Sequence, residues 1–308
     1  MDALDRKPGM GWIPDYPDFR DLTPETDVLS LKLQKLGQKD SVKKMLLKIP
    51  KGKASKIPLP PPPSKDLRPW FTPVENQESL GSCTAHAGVG LVEYFENRAF
   101  HTFLDASRLF LYKVTRDLLG WTGDVGAYPR TTMKALVLFG VPPEQYWPYI
   151  ISKFDIEPSA FLYAFAQNYQ AISYYRLDQI GISRGALLLK IKMNLALGLP
   201  SMFGFTVYSS YTQARTSGTG KIPYPTKDES VVAGHAIIAA GYDDNMKIKN
   251  TNNGGIETKG ALLIRNSWGT GWGENGYGWL PYQYVMDGLA SDWWSLLKNE
   301  WVDTGNFG

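Results

Sequence analysis

At about residue 199 the hydrophobic pattern of the chain changes period, and that change limits the folds open to it. Before it, apolar residues recur at helical spacing in AGVGLVEYFENRAF just after Cys83 and in DASRLFLYKVTRDLL from Asp105. The same spacing returns in RTTMKALVLFG from Arg130 to Gly140 and in GALLLKIKMNLALG from Gly185 to Gly198. After it come short runs rich in β-branched and aromatic residues, SMFGFTVYSS, HAIIAAGYD and ALLIRNSWG, broken by Gly, Pro and Asn. Helices first and strands second exclude a regular βαβ repeat. They predict an α+β protein, with a mostly helical subdomain over about 80–198, an antiparallel β subdomain over about 199–285, and a groove between them. A chain of 308 residues, 43% of them hydrophobic, can bury the core this requires.

The first 65 residues differ in character. GWIPDYPDFRD, crowded with Pro, Asp and aromatics, predicts an extended segment lying on a surface. TPETDVLSLKLQKL predicts a short amphipathic helix capped near Thr26 or Asp27, with Leu29, Leu33 and Leu36 along one side. From Lys32 to Lys56 nine lysines face one acid, Asp40, which suits a solvated face or a segment folding back on the main domain. KIPLPPPPSK then reads as a stiff polyproline-like spacer. The main domain is expected over 66–290, followed by a tail over 291–308 whose tryptophans pack on the core.

A formal net charge of +3 is small for this length and argues against a nucleic-acid partner. No window approaches 18 uncharged apolar residues, so no membrane span is expected, and the first residues lack the apolar region of a secretory signal. A single cysteine rules out intrachain disulfides and multi-thiolate metal sites. With only His86, His101 and His235 besides, no metal or organic cofactor is expected. A reduced, cytoplasmic setting is the expectation.

Cys83 stands where the loop ESLGS feeds a helix, and the positive end of a helix favours a thiolate. Gly81 lets the backbone approach closely, and Ser82, Thr84 and Ala85 leave room for a substrate. The helix axis carries His86 away from the thiol, and both it and His101 read as structural. His235 heads an apolar strand behind Gly234, where an imidazole must find partners or face a cleft. Asn266 ends another apolar strand, ahead of a Gly/Trp-rich turn region, and is placed to accept a hydrogen bond from an imidazole. The residues by themselves allow a Cys-His-Asn constellation without requiring one.

Three separated motifs carry a resemblance. PVENQESLGSCTA has Gln77 six residues before Cys83, GHAIIAAGY surrounds His235, and RNSWGTGWGENGYG surrounds Asn266. Together, and with weaker echoes in SKDLRPW and GVPPEQYWPY, they resemble the papain family of cysteine peptidases over roughly residues 66–285. The resemblance implies a papain-like fold, its helical part set against a barrel-like β part with the active-site groove between. It implies that Cys83 is the nucleophile, His235 the acid/base, and Asn266 the residue orienting the imidazole. Gln77 is then the side-chain donor of the oxyanion hole, beside the backbone N–H of Cys83. Trp268 covers the Asn–His contact, and Gly126, Tyr128 and Gly234 bind substrate. Two departures stand out: Leu80 replaces a disulfide cysteine of secreted members, and Thr84 replaces the tryptophan that usually follows the nucleophile.

The activity so implied is that of a thiol peptidase, an endopeptidase hydrolysing peptide or protein substrates through an acyl-enzyme. The extension over 1–65 is then a candidate propeptide, an intramolecular inhibitor of a zymogen. The alternatives are a narrow-specificity processing peptidase, aminopeptidase or transpeptidase, or a non-catalytic binding protein on the same scaffold. The usual mark of the last, loss of the cysteine or the histidine, is missing here.

Overall fold

A computed structural model describes residues 9–49, 60–170 and 173–307, so the first four residues of the expected polyproline spacer, 56–59, lie outside the described residues. Two short helices come first, α1 (Leu31–Lys35) and α2 (Val42–Lys48), then strand β1 (Ser64–Asp66). The helical part holds α3 (Cys83–Phe100), α4 (Arg108–Leu119), α5 (Pro129–Leu138) and α6 (Ala160–Ala166). β2 (Ser173–Arg176) and α7 (Arg184–Ala196) lead to β3 (Ser201–Tyr208), α8 (Thr212–Thr216), β4 (Val231–Lys249), β5 (Glu257–Arg265) and β6 (Tyr277–Pro281). The chain closes with α9 (Gln283–Met286), β7 (Ala290–Leu297) and α10 (Asn299–Asp303). All strand pairs are antiparallel, in the order β2-β7-β3-β4-β5-β6, with β1 added to β4. The fold is the α+β arrangement expected.

Helix α3 is buried along most of its length because other helices cover one side and β3 and β4 the other. Inside it, Glu93 accepts hydrogen bonds from Arg108 Nη2 (2.9 Å), Thr72 Oγ1 (2.6 Å) and the N–H of Ala106 (3.1 Å). A buried charge is tolerated only when partnered on this scale, and the pair locks α3 to α4. None of the described helices is long and apolar enough to cross a membrane.

Two expectations need correcting. The helix expected over residues 23–36 is only the five residues of α1, capped by Ser30. The chain before it is tied up in local turns, with Thr23 N–H on Thr26 Oγ1 and the Asp27 carboxylate on the Ser41 hydroxyl, so it does not join the helix. The expected tail is also more than a tail. Residues 290–297 form β7, an inner strand between β2 and β3, and Trp293 stacks on Phe203 at 3.9 Å. Because β7 is covered on both faces, ASDWWSLL buries polar and apolar residues alike, without the alternation that marks a half-exposed strand.

Candidate active site

Cys83 is the first residue of α3, which sets its thiol at the positive end of an 18-residue helix. His235 comes from β4, and Asn266 follows the last residue of β5, the neighbouring strand. Their pairing, with Ile238 opposite Arg265, brings the two side chains together. His235 Nε2 lies 2.9 Å from Asn266 Oδ1. An amide oxygen can only accept, so Nε2 carries the proton and Nδ1 keeps its lone pair. Nδ1 is buried and makes no hydrogen bond. The Trp268 ring stacks on the imidazole at 4.8 Å and 19°, shielding the pair from water.

Gln77 is fixed from the same loop. Its backbone N–H donates to Ser267 O at 2.8 Å, and its Oε1 accepts from the Ser267 hydroxyl. With the oxygen committed, Nε2 is the end turned to the groove. Cys83, His235, Asn266, Gln77 and Trp268 thus form one cluster, in which the thiol accepts the N–H of Ala236, the residue after His235, at 3.4 Å.

The groove is filled by the chain's own N-terminal segment. Gln77 Nε2 donates to Gly9 O and to Leu80 O, both at 2.8 Å, and the N–H of Gly11 points at Cys83 Sγ from 3.2 Å. Trp12 N–H donates to Gly234 O (3.2 Å), while Ala127 exchanges hydrogen bonds with Gly11 and Ile13 (2.9 and 3.2 Å). The fit depends on missing side chains. A Cβ on Gly11 would stand 1.9 Å from Gly81 O, and one on Gly126 would stand 2.2 Å from Gly11 O. Trp12 covers Gly204 and Gly234, and its indole Nε1–H donates to Asp292 Oδ2 at 3.2 Å. Farther along, Arg130 pairs with Asp15 (3.0 Å) and Asp21 (2.9 Å). Arg176 holds Asp15 O from 2.9 Å.

This covering sets the electrostatics. Burial pushes the Cys83 thiol up to about 11, against the smaller opposing pull of the N–H groups of Ala236 and Gly11. Burial likewise pushes His235 down to about 4, which the Asn266 hydrogen bond only partly offsets. At neutral pH the covered pair is therefore a thiol and a neutral imidazole. His86 is a different case. It is buried behind the cluster, its Nδ1–H donating to Ser82 O at 3.1 Å and its ring edge-on to Tyr149, and burial takes it to about 3.

The residues expected to bind substrate are placed unevenly. Gly234 and Gly126 touch the segment in the groove. Tyr128 instead caps α5 and rests on Trp121, and it is Ala127 whose backbone pairs with the segment. Ala127 was missed because it acts through its backbone, which leaves no side-chain signature. Asp292 was missed as well, although an acid beside Trp293 in β7 is a readable anomaly. Among the described residues no cluster of His, Cys, Asp and Glu is suited to hold a metal ion.

A helix-borne cysteine facing a strand-borne histidine and asparagine across a two-part groove defines a thiol-peptidase class of site. Residues 61–293 match the model of the papain family cysteine proteases, and the chain belongs to that family. A peptidase C1-like protein of Acanthamoeba polyphaga mimivirus is 34% identical over 226 residues, covering 72% of this chain and 68% of the viral one. The crystal structure of xylellain, a cysteine protease from Xylella fastidiosa, is similar with a TM-score of 0.70 and 31% identity, covering 94% of this chain and 96% of that one. Procathepsin L 3 of Tenebrio molitor larval midgut shares the fold at a TM-score of 0.57 and 19% identity, covering 83% of this chain and 79% of its own. The protein is a papain-like cysteine peptidase.

Proposed function

We propose that the protein is an endopeptidase that cleaves peptide bonds at Cys83 and is made in a covered, zymogen-like form. The observation that carries this is the commitment of His235: Nε2–H is spent on Asn266, which leaves Nδ1 to take and return a proton. Once the groove is open, His235 Nδ1 takes the Cys83 proton, the thiolate attacks the substrate carbonyl carbon, and the S–C bond forms as the carbonyl π bond opens. Gln77 Nε2 and the Cys83 N–H hold the developing oxyanion. The C–N bond breaks as His235 protonates the leaving amine, and the acyl-enzyme remains. Water then attacks the acyl carbon, giving its proton to His235, and the thiolate leaves.

Residues 9–21 are the inhibitor in this scheme. Support comes from the Gly9 carbonyl, which occupies the Gln77 donor, and from the Gly11 N–H on the thiol. A fold neighbour, procathepsin L 3, is itself named as a pro form. The proposed division keeps an N-terminal extension up to residue 65 and a peptidase domain after it, with β7 counted in the domain. With one thiol and no disulfide to keep, a reducing compartment such as the cytoplasm suits the chain.

The test is iodoacetamide labelling of the full chain carrying Gly11→Ala, whose added methyl group would stand 1.9 Å from Gly81 O and so opens the groove, alongside hydrolysis of fluorescein-labelled casein. Labelling of Cys83 whose pH profile changes in His235→Ala, together with casein cleavage lost in that variant, is the expected result. Casein cleavage equal in the two proteins would overturn it.

A further inference from the structure

The two loops that wall the groove around Gly11 are joined by hydrogen bonds alone, since one cysteine cannot staple them. One wall is Gly81 and the other Gly126. At Gly81 an added Cβ would lie 3.1 Å from Asp124 Oδ1, 3.4 Å from Gly126 N and 3.5 Å from Gly11 Cα, so the walls and the chain between them are in contact. Asp124 Oδ1 accepts the N–H of Gly81 at 2.8 Å and the hydroxyl of Tyr112 at 2.5 Å. The Tyr112 oxygen in turn accepts the N–H of Gly126 at 3.2 Å.

This chain starts from a rigid base. Tyr112 is fully buried on α4, and the Arg116 guanidinium lies 4.2 Å over its ring. The same guanidinium holds Gly123 O at 2.6 Å, just before Asp124. Burial and the Asp124 carboxylate push the Tyr112 phenol up, so it stays a donor. Asp124 is an exposed residue of a surface loop, yet it makes bonds to both a buried helix and the loop that leads into Cys83.

We infer that Asp124 is a positioning residue of the peptidase: one carboxylate oxygen, through Gly81 N–H and Tyr112 O–H, fixes the spacing between the Gly81 and Gly126 walls. The inference rests on the reading that a substrate chain lies where Gly11 now lies. Cys83 itself is carried by α3, so loosening the walls weakens substrate binding while leaving the attack on a bound substrate largely intact.

The experiment compares Asp124→Ala, Asp124→Asn and Tyr112→Phe in the full chain carrying Gly11→Ala, in which the covering segment no longer fits between the walls. Asp124→Ala removes both hydrogen bonds to the carboxylate and is expected to raise KM for fluorescein-labelled casein about tenfold, with kcat changed far less. Asp124→Asn retains an acceptor oxygen and restores most of the lost affinity, and Tyr112→Phe moves KM in the same direction as Asp124→Ala. Hydrogen–deuterium exchange reads the link without any activity: Asp124→Ala speeds exchange at the amides of Gly81 and Gly126, and Asp124→Asn does so less. Unchanged exchange at Gly126 in both Asp124→Ala and Tyr112→Phe overturns the inference, as does a lowered melting temperature with unchanged KM. A chain that shows the exchange pattern but cleaves no casein would fail the peptidase reading and keep the wall link.

Discussion

The carbonyl oxygen of Gly9 lies 2.8 Å from Nε2 of Gln77, so the donor proposed for the reacting carbonyl is taken by a carbonyl of the chain itself. Only a glycine-rich segment can lie this close. A methyl group on Gly11 would stand 1.9 Å from Gly81 O, which is backbone and cannot swing aside. Overpacking of this kind costs roughly 1–3 kcal/mol, so Gly11→Ala is expected to favour the open groove by about ten- to a hundredfold. Initial rates of casein hydrolysis by the full-length variant and parent check this. Equal rates would count against residues 9–21 as the brake.

The extension does not act as one body. Residues 9–15 lie against the groove, with Tyr16 and Phe19 exposed beyond it, but Val42, Met45 and Ile49 are buried in the core. Asn299 reinforces the junction, accepting the N–H of Lys39 at 2.9 Å and donating to Asp40 Oδ2 at 2.7 Å. Met45→Ala should therefore destabilise the whole fold by about 2–5 kcal/mol, measured by denaturant unfolding. Truncation before Leu22 removes groove and surface contacts only and should lower the unfolding midpoint less than Met45→Ala does. A Met45→Ala protein as stable as the parent would make α2 a detachable part of the extension.

How much of this was legible in the sequence follows from where each signal sits. Cys83, His235 and Asn266 each lie in a run whose neighbours carry the pattern: a Gly-Ser turn before a helix, a Gly before an apolar strand, a Gly/Trp turn after one. Gln77, six residues before Cys83, was readable only through the resemblance to the papain family. The covering segment could be foreseen as extended but not as Gly9 on Gln77, because its contacts run through backbone atoms. Ala127 failed for the same reason. Strand β7 was hidden by burial on both faces, which erases the period-2 alternation.

Covering the groove should be visible in the chemistry of the thiol. In the closed chain burial holds Cys83 at about 11, above the ordinary thiol value near 8.5. A raised pKa means less thiolate at any pH below it, so alkylation of the parent should climb only in strongly alkaline solution. Opening the groove hydrates the thiol, lowers its pKa and moves the rise to lower pH. Iodoacetamide rates from pH 6 to 10 in the parent and Gly11→Ala check this, and superimposable profiles would contradict it.

His86 gives a stability test independent of catalysis. Burial holds it at about 3 in the fold, whereas an exposed histidine titrates near 6.5. Between these values the unfolded chain binds a proton that the folded chain refuses. The contribution of His86 is thus complete above about pH 6.5 and is lost as pH falls towards 3. At pH 4 the loss is on the order of 3 kcal/mol. His235, held at about 4, has the same sign, so part of the acid sensitivity survives without His86. Phe is close in size to His and can retain the edge-on contact with Tyr149. In His86→Phe the difference in unfolding free energy between pH 7 and pH 4 should shrink by about 3 kcal/mol. Denaturant titrations at the two pH values measure it, and an unchanged difference would mean that His86 takes up its proton within the folded protein.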